Sequence, residues 1–143
     1  MTFWQLTIDA NDPATLARFW AAALGYQPEP VSPAVTPWQE HYLARLDDGA
    51  EAFDDRLFDP DGFRPPLWFQ QVPEGKSGKN RLHLDLYPTG RDAGLTMAER
   101  IAIVEAKVTE LVELGATVHS REHDDTTFFV TLNDPEGNEF CVS

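Results

Sequence analysis

Hydrophobic and polar residues alternate at the start of the chain. In "FWQLTID", Trp4, Leu6 and Ile8 fall on one side and Phe3, Gln5, Thr7 and Asp9 on the other, which predicts a strand with one buried face. The period then changes. "NDPATLARFWAAALG" sets Leu16, Phe19, Trp20, Ala23 and Leu24 along one helical stripe. Asn11 or Asp12 can cap this helix, Pro13 suits its first turn and Gly25 suits its exit. A Pro-interrupted edge follows from Tyr26 to Val31, then a strand over Trp38–Leu46 ("WQEHYLARL"). A long Asp/Gly/Pro-rich loop covers Asp47–Pro66, and a strand covers Leu67–Val72 ("LWFQQV").

After "PEGKSGKN" the same order begins again. "RLHLDLY" alternates, with Leu82, Leu84 and Leu86 opposite Arg81, His83, Asp85 and Tyr87. A helix is predicted from about Thr96 to Leu114, opened by the Thr96/Glu99 capping box and closed at Gly115. Its stripe is Met97, Ile101, Val104, Val108 and Leu111. Three more strands follow in "ATVHSRE", "TFFVTLN" and "NEFCVS". Strand, helix and three strands therefore occur twice, and each copy carries the same turn, Asp59-Pro60-Asp61-Gly62 and Asp134-Pro135-Glu136-Gly137. Each half has too few residues for a generous core of its own, which predicts one domain over 1–143 with module one at about 1–75 and module two at about 80–143.

Composition narrows the partners. With 24 acidic against 11 basic residues the net charge is -13, the wrong sign for nucleic acid or an anionic membrane. The one basic cluster, Lys76, Lys79 and Arg81, reads as a solvated hairpin. No apolar run is long enough to span a bilayer, and Met1 leads directly into strand-like sequence without a signal-peptide core. A single cysteine, Cys141, cannot form an internal disulfide, so a reducing cytoplasm is expected.

The repeated βαβββ order, with "VPEGKSGKNRLHLDL" and "NDPEGNEFCV", resembles the vicinal oxygen chelate superfamily and in particular its bacterial glyoxalase-like branch. That superfamily includes glyoxalase I, bleomycin-resistance proteins and extradiol dioxygenases. The resemblance implies an α+β fold in which two βαβββ modules form a cupped mixed sheet with helices packed outside. It also implies that the family's metal-ligand positions fall at Gln5, Gln70, His83 and Cys141, with Gln70 the least certain because "FRPPL" lengthens the approach to its strand. The alternation agrees that all four lie opposite the apolar faces.

These four positions offer one imidazole, two amides and a thiol, and no carboxylate to act as ligand or base. A tightly bound metal is therefore not expected; if zinc, iron or a similar ion binds, His83 and Cys141 are its anchors. Asp85 either orients the His83 imidazole or is a surface charge, and Cys141 is either a packing residue or a reactive one. Trp38, Trp68, Asp85 and Phe129 are candidates for a pocket wall, whereas Trp4, Phe19, Trp20 and Phe140 are expected in the core. His119 and His123 would lie about 13 Å apart along a strand, too far to share an ion. The expected function is small-molecule binding by a homodimer without a catalytic metal. The alternative is a metal-dependent lyase, isomerase or dioxygenase acting on a small oxygenated metabolite.

Overall fold

A computed structural model describes residues 2–29 and 55–143. The chain divides into two compact units, Met1–Pro73 and Glu74–Ser143. The strand expected at Trp38–Leu46, and with it the pocket-wall candidate Trp38, lies outside the described residues.

The first unit contains β1 (Leu6–Ala10), α1 (Pro13–Leu24), β2 (Gln27–Pro28), β3 (Arg56–Phe58) and β4 (Leu67–Gln71). Its sheet runs β1-β4-β3-β2, with β1 and β4 parallel and the other pairs antiparallel. The second unit contains β5 (Asp85–Leu86), α2 (Met97–Glu113), β6 (Thr117–His123), β7 (Phe128–Asn133) and β8 (Glu139–Val142). Its sheet runs β5-β8-β7-β6, again with first and last strands parallel. The repeat in the sequence is thus a repeat of topology: among the described residues, two mixed four-stranded sheets, each with one helix.

Local sequence explains both helices. The Asp12 carboxylate accepts the Thr15 N–H at 3.1 Å and the Thr15 hydroxyl at 2.6 Å, Pro13 sits in the first turn, and Gly25 ends α1 at φ 69°. At α2 the Thr96/Glu99 capping box is closed in both directions. Each helix covers one face of its own sheet. In the first unit Leu16, Phe19, Trp20 and Ala23 of α1 are buried, as are Ala10, Leu57, Leu67 and Phe69 of the sheet. In the second, Val104, Val108 and Leu111 of α2 are buried, as are Leu86, Val130, Leu132, Phe140 and Val142. Burying a side chain of this size contributes about 1.5–3 kcal/mol, so these strips hold each helix to its sheet. Arg121 of β6 adds a two-pronged contact to Glu105 of α2, at 2.7 and 3.1 Å.

Several expectations need correction. A strand, β3, lies inside the stretch that composition marked as loop; Leu57, 2% exposed and paired with Leu67, gains more from burial than its polar neighbours lose. "RLHLDLY" is strand only at Asp85–Leu86. Leu82 is 81% exposed, since pairing with β8 begins only at the Leu84 carbonyl and Asp85, and alternation alone cannot extend it. Trp4 is 62% exposed and Phe3 81%, because β1 begins at Leu6 and neither ring reaches the α1 core. "PEGKSGKN" is not a hairpin, since β4 and β5 belong to different sheets. Nor is its basic cluster free: Lys76 pairs with Glu139 at 3.2 Å and donates to the Gly78 carbonyl.

Candidate functional site

The faces that the helices leave open carry the chemistry. In the second unit, strand register sets Asp85 directly beside Cys141, Cys141 beside Thr131, and Thr131 beside Ser120. Paired residues share a face, so these four side chains form one polar row across the four strands. Val130, Leu132, Phe140 and Val142 alternate with the open-face residues and point the other way, into the core.

His83 precedes β5 by two residues and lies at the end of this row. Its Nδ1 is 2.9 Å from Asp85 Oδ1, with both side chains about two-fifths exposed. Cys141 is half-buried, and its Sγ lies 3.7 Å from the Thr131 hydroxyl. One ligand atom each from His83, Asp85 and Cys141 lie within 4.8 Å of one another, the group among the described residues able to hold a metal ion. Sequence reasoning found His83 and Cys141 as a pair and left Asp85, two residues after His83, either to orient the imidazole or to be a surface charge; the 2.9 Å contact sets it beside the ring.

Gln5 and Gln70 lie in the other unit. Gln5 is exposed and its Nε2 is 3.5 Å from the Thr7 hydroxyl; Gln70 is half-buried and pairs with Asp9. The register adds a comparison that spacing could not. Asp85, two residues after His83, pairs with Cys141; Thr7, two residues after Gln5, pairs with Trp68. Trp68 thus stands where Cys141 stands in the second unit, with Gln70 two residues farther along the same face. Trp68 is 8% exposed, its indole N–H donates to Asp55 at 2.9 Å, and the Arg56 guanidinium lies 5.1 Å from its ring centre. The indole is therefore held in place, not free to swing.

Phe129, half-buried, shares the open face of the second sheet with Thr131 and faces Glu122 of β6. His119 sits in the bulge between Val118 and Ser120, while the ring of His123 packs edge-on against Phe128 at 5.8 Å. Neither belongs to the His83 cluster.

Electrostatics near the row are set by Glu139, on the same face as Cys141. The Asn80 backbone N–H donates to its carboxylate at 3.0 Å and Lys76 approaches it, and these contacts hold Glu139 down to about 2. The connection after Pro73 is thereby tied to the first residue of the strand that carries Cys141.

An α+β protein of two βαβββ repeats, each with a helix on one face of a mixed sheet and polar groups gathered on the other, is the class that fold and site define. The glyoxalase-like domain model matches residues 5–143, nearly the whole chain, and the protein belongs to that family. No curated protein matches the chain. Solved structures of similar fold include a glyoxalase/bleomycin resistance protein/dioxygenase family enzyme from Burkholderia phytofirmans, at 14% identity and TM-score 0.57, covering 96% of this chain and 94% of that one. The fosfomycin resistance protein FosX from Mesorhizobium loti is similar at 10% identity and TM-score 0.56, covering 99% and 89%. A glyoxalase/bleomycin resistance protein from Albidiferax ferrireducens is similar at 15% identity and TM-score 0.51, covering 98% and 95%. Among the described residues no helix is long and apolar enough to cross a membrane.

Proposed function

We propose that the open face of the second sheet binds a small organic molecule, with the His83–Asp85 pair as its polar anchor and Cys141 beside it. The observation that carries this reading is the 2.9 Å contact between His83 and Asp85 on the face that α2 leaves uncovered. A carboxylate on one ring nitrogen fixes the imidazole's orientation and leaves the other nitrogen for a ligand oxygen or nitrogen. The reading extends to a homodimer in the cytoplasm, supported by the lone Cys141 and the frequent pairing of modules in related folds.

A second reading, a metal-dependent lyase, isomerase or dioxygenase, draws support from the same three residues. Imidazole, carboxylate and thiol are donors that zinc accepts, and three protein ligands leave a position for substrate. The set therefore fits a divalent ion, which His83, Asp85 and Cys141 would hold. Such an ion would supply Lewis acidity to a bound oxygen. Asp85 supplies the carboxylate that the four inherited positions lack.

The test is elemental analysis of the purified full chain, followed by a screen of small oxygenated and aromatic compounds read by amide chemical shifts, with and without EDTA. Binding that survives EDTA and weakens on His83→Ala by about 0.5–1.5 kcal/mol supports the first reading. Stoichiometric metal whose removal abolishes binding overturns it in favour of the second.

A further inference from the structure

Beside the polar row, the open face of β6 and β7 forms a cleft of about 540 Å³, lined among others by Ser120, Glu122, Asp124, Phe129 and Thr131. That volume lies within the range of small-molecule sites. Thr131 belongs both to this cleft and to the row, where its hydroxyl meets Cys141. The cleft therefore continues the His83 cluster sideways, away from β5.

Acids outnumber bases in it: among the described residues its lining holds Glu122, Asp124 and the His123 imidazole, and no Lys or Arg. The His123 ring is engaged edge-on with Phe128. Asp124 is occupied within its own turn, accepting from the Thr126 and Thr127 N–H groups at 2.8 Å each. Glu122 is different: it has no hydrogen bond or ion pair among the described residues, and it stands directly across from Phe129. By contrast, Glu105 of α2 and Glu139 of β8 each have a cationic partner. Glu122 thus presents a free carboxylate between an aromatic ring and the hydroxyls of Ser120 and Thr131.

A carboxylate beside an aromatic ring, with hydroxyl acceptors and no Lys or Arg among the described lining residues, suits an organic ammonium. The charge meets Glu122, the ring adds cation–π attraction, and N–H groups find the hydroxyl oxygens. We infer that this cleft selects ligands carrying a protonated amine on a compact apolar body, with the amine at Glu122 and the remainder directed past Thr131 towards Cys141 and His83. This inference rests on the binding reading above and names its ligand class.

Three probes of matched size test it on the full chain: benzylammonium, benzyl alcohol and benzoate, each titrated while amide shifts are followed. The expected result is that benzylammonium shifts amides of β6 and β7 and binds at least about fivefold tighter than the other two. Glu122→Gln should remove that advantage and leave benzyl alcohol binding unchanged, whereas Glu113→Gln, at the end of α2, should change nothing. Equal binding of all three, lost together on His83→Ala, overturns the cation preference and keeps the binding reading. An ammonium preference that survives Glu122→Gln overturns the assignment of the amine to this residue. No shifted amide in β6, β7 or around His83 with any probe overturns both readings.

Discussion

Asp59 and Asp134 do the same work in the two modules. Each is buried, at 5% and 3% exposure, and each opens its turn with a backbone bond from the glycine three residues on, Gly62 at 3.0 Å and Gly137 at 2.9 Å. Each carboxylate then gathers backbone N–H groups. Asp59 accepts from Phe63 and Arg64, and Asp134 from Glu136 and Asn138. A residue just past the turn supplies a side chain as well, Arg64 Nη2 at 2.7 Å, five residues after Asp59, and Asn138 Nδ2 at 3.0 Å, four residues after Asp134. The turn recurs because a buried carboxylate organises the entry to the last strand of each module.

Removing such a carboxylate leaves buried N–H groups without partners. Asp134→Ala should therefore cost about 1–3 kcal/mol in urea unfolding, and Asp134→Asn less. An Asp134→Ala protein as stable as the parent would mean that the N–H groups find other acceptors.

The matching aspartate carries a pH dependence. The Arg64 guanidinium, helped by two backbone N–H groups, holds the Asp59 carboxyl well below the usual carboxylate range. A carboxyl with a depressed native pKa contributes stability that is full above its unfolded value, near 3.8, and lost as pH falls below it. Acid unfolding of the parent should therefore be steeper below pH 4 than that of Asp59→Asn, which has no carboxyl to protonate. Superimposable acid limbs would remove this role.

Glu139 predicts a looser connection at acid pH. Its carboxyl moves from 4.5 down to about 2 through the Asn80 N–H first, then its own backbone N–H and Lys76, so the tie is complete above about pH 4.5 and released as pH falls towards 2. The Asn80 amide should lose exchange protection across that interval, and Glu139→Gln should lower its protection at neutral pH. Inserting Gly/Ser residues between Gly78 and Asn80 should cost little global stability, about 1 kcal/mol or less, because the connection is exposed and its ion pair lies near the surface. A larger loss in denaturant melts would show that the connection packs more firmly than its contacts indicate.

Gly25 ends α1 at φ 69°, with open space where a Cβ would stand. Gly25→Ala should cost about 1 kcal/mol by strain alone. A neutral substitution would mean that the helix end rearranges.

The Cys141 thiol separates the two functional readings. If a metal is held, Cys141→Ser should lower its stoichiometry sharply, because a hydroxyl is a poor ligand beside a thiolate. If the site binds organic molecules alone, Cys141→Ser should change affinity by less than about 1 kcal/mol, since Sγ makes only a long contact with Thr131.

Much of this protein was legible in one dimension. The stripes Leu16–Phe19–Trp20–Ala23 and Val104–Val108–Leu111, the Asp12 and Thr96 caps, the Gly25 and Gly115 exits and the repeated turn are local rules of helix and turn chemistry, and they held. The repeat then placed His83 and Cys141 on the same open face, because alternation with period two needs no knowledge of the partner strand. Pairing was another matter. Alternation in "RLHLDLY" could not say that only Asp85 and Leu86 would find a strand beside them, nor could the acidic loop announce β3, which exists because Leu57 is buried next to Leu67. Trp4 has an apolar pattern but no helix over it, and is exposed. The placing of Asp85 beside Cys141, the equivalence of Trp68 with Cys141 and the cleft at Glu122 all depend on which residues lie opposite one another in a sheet. Register is a long-range property, decided by what two distant segments bury together, and only the tertiary structure holds it.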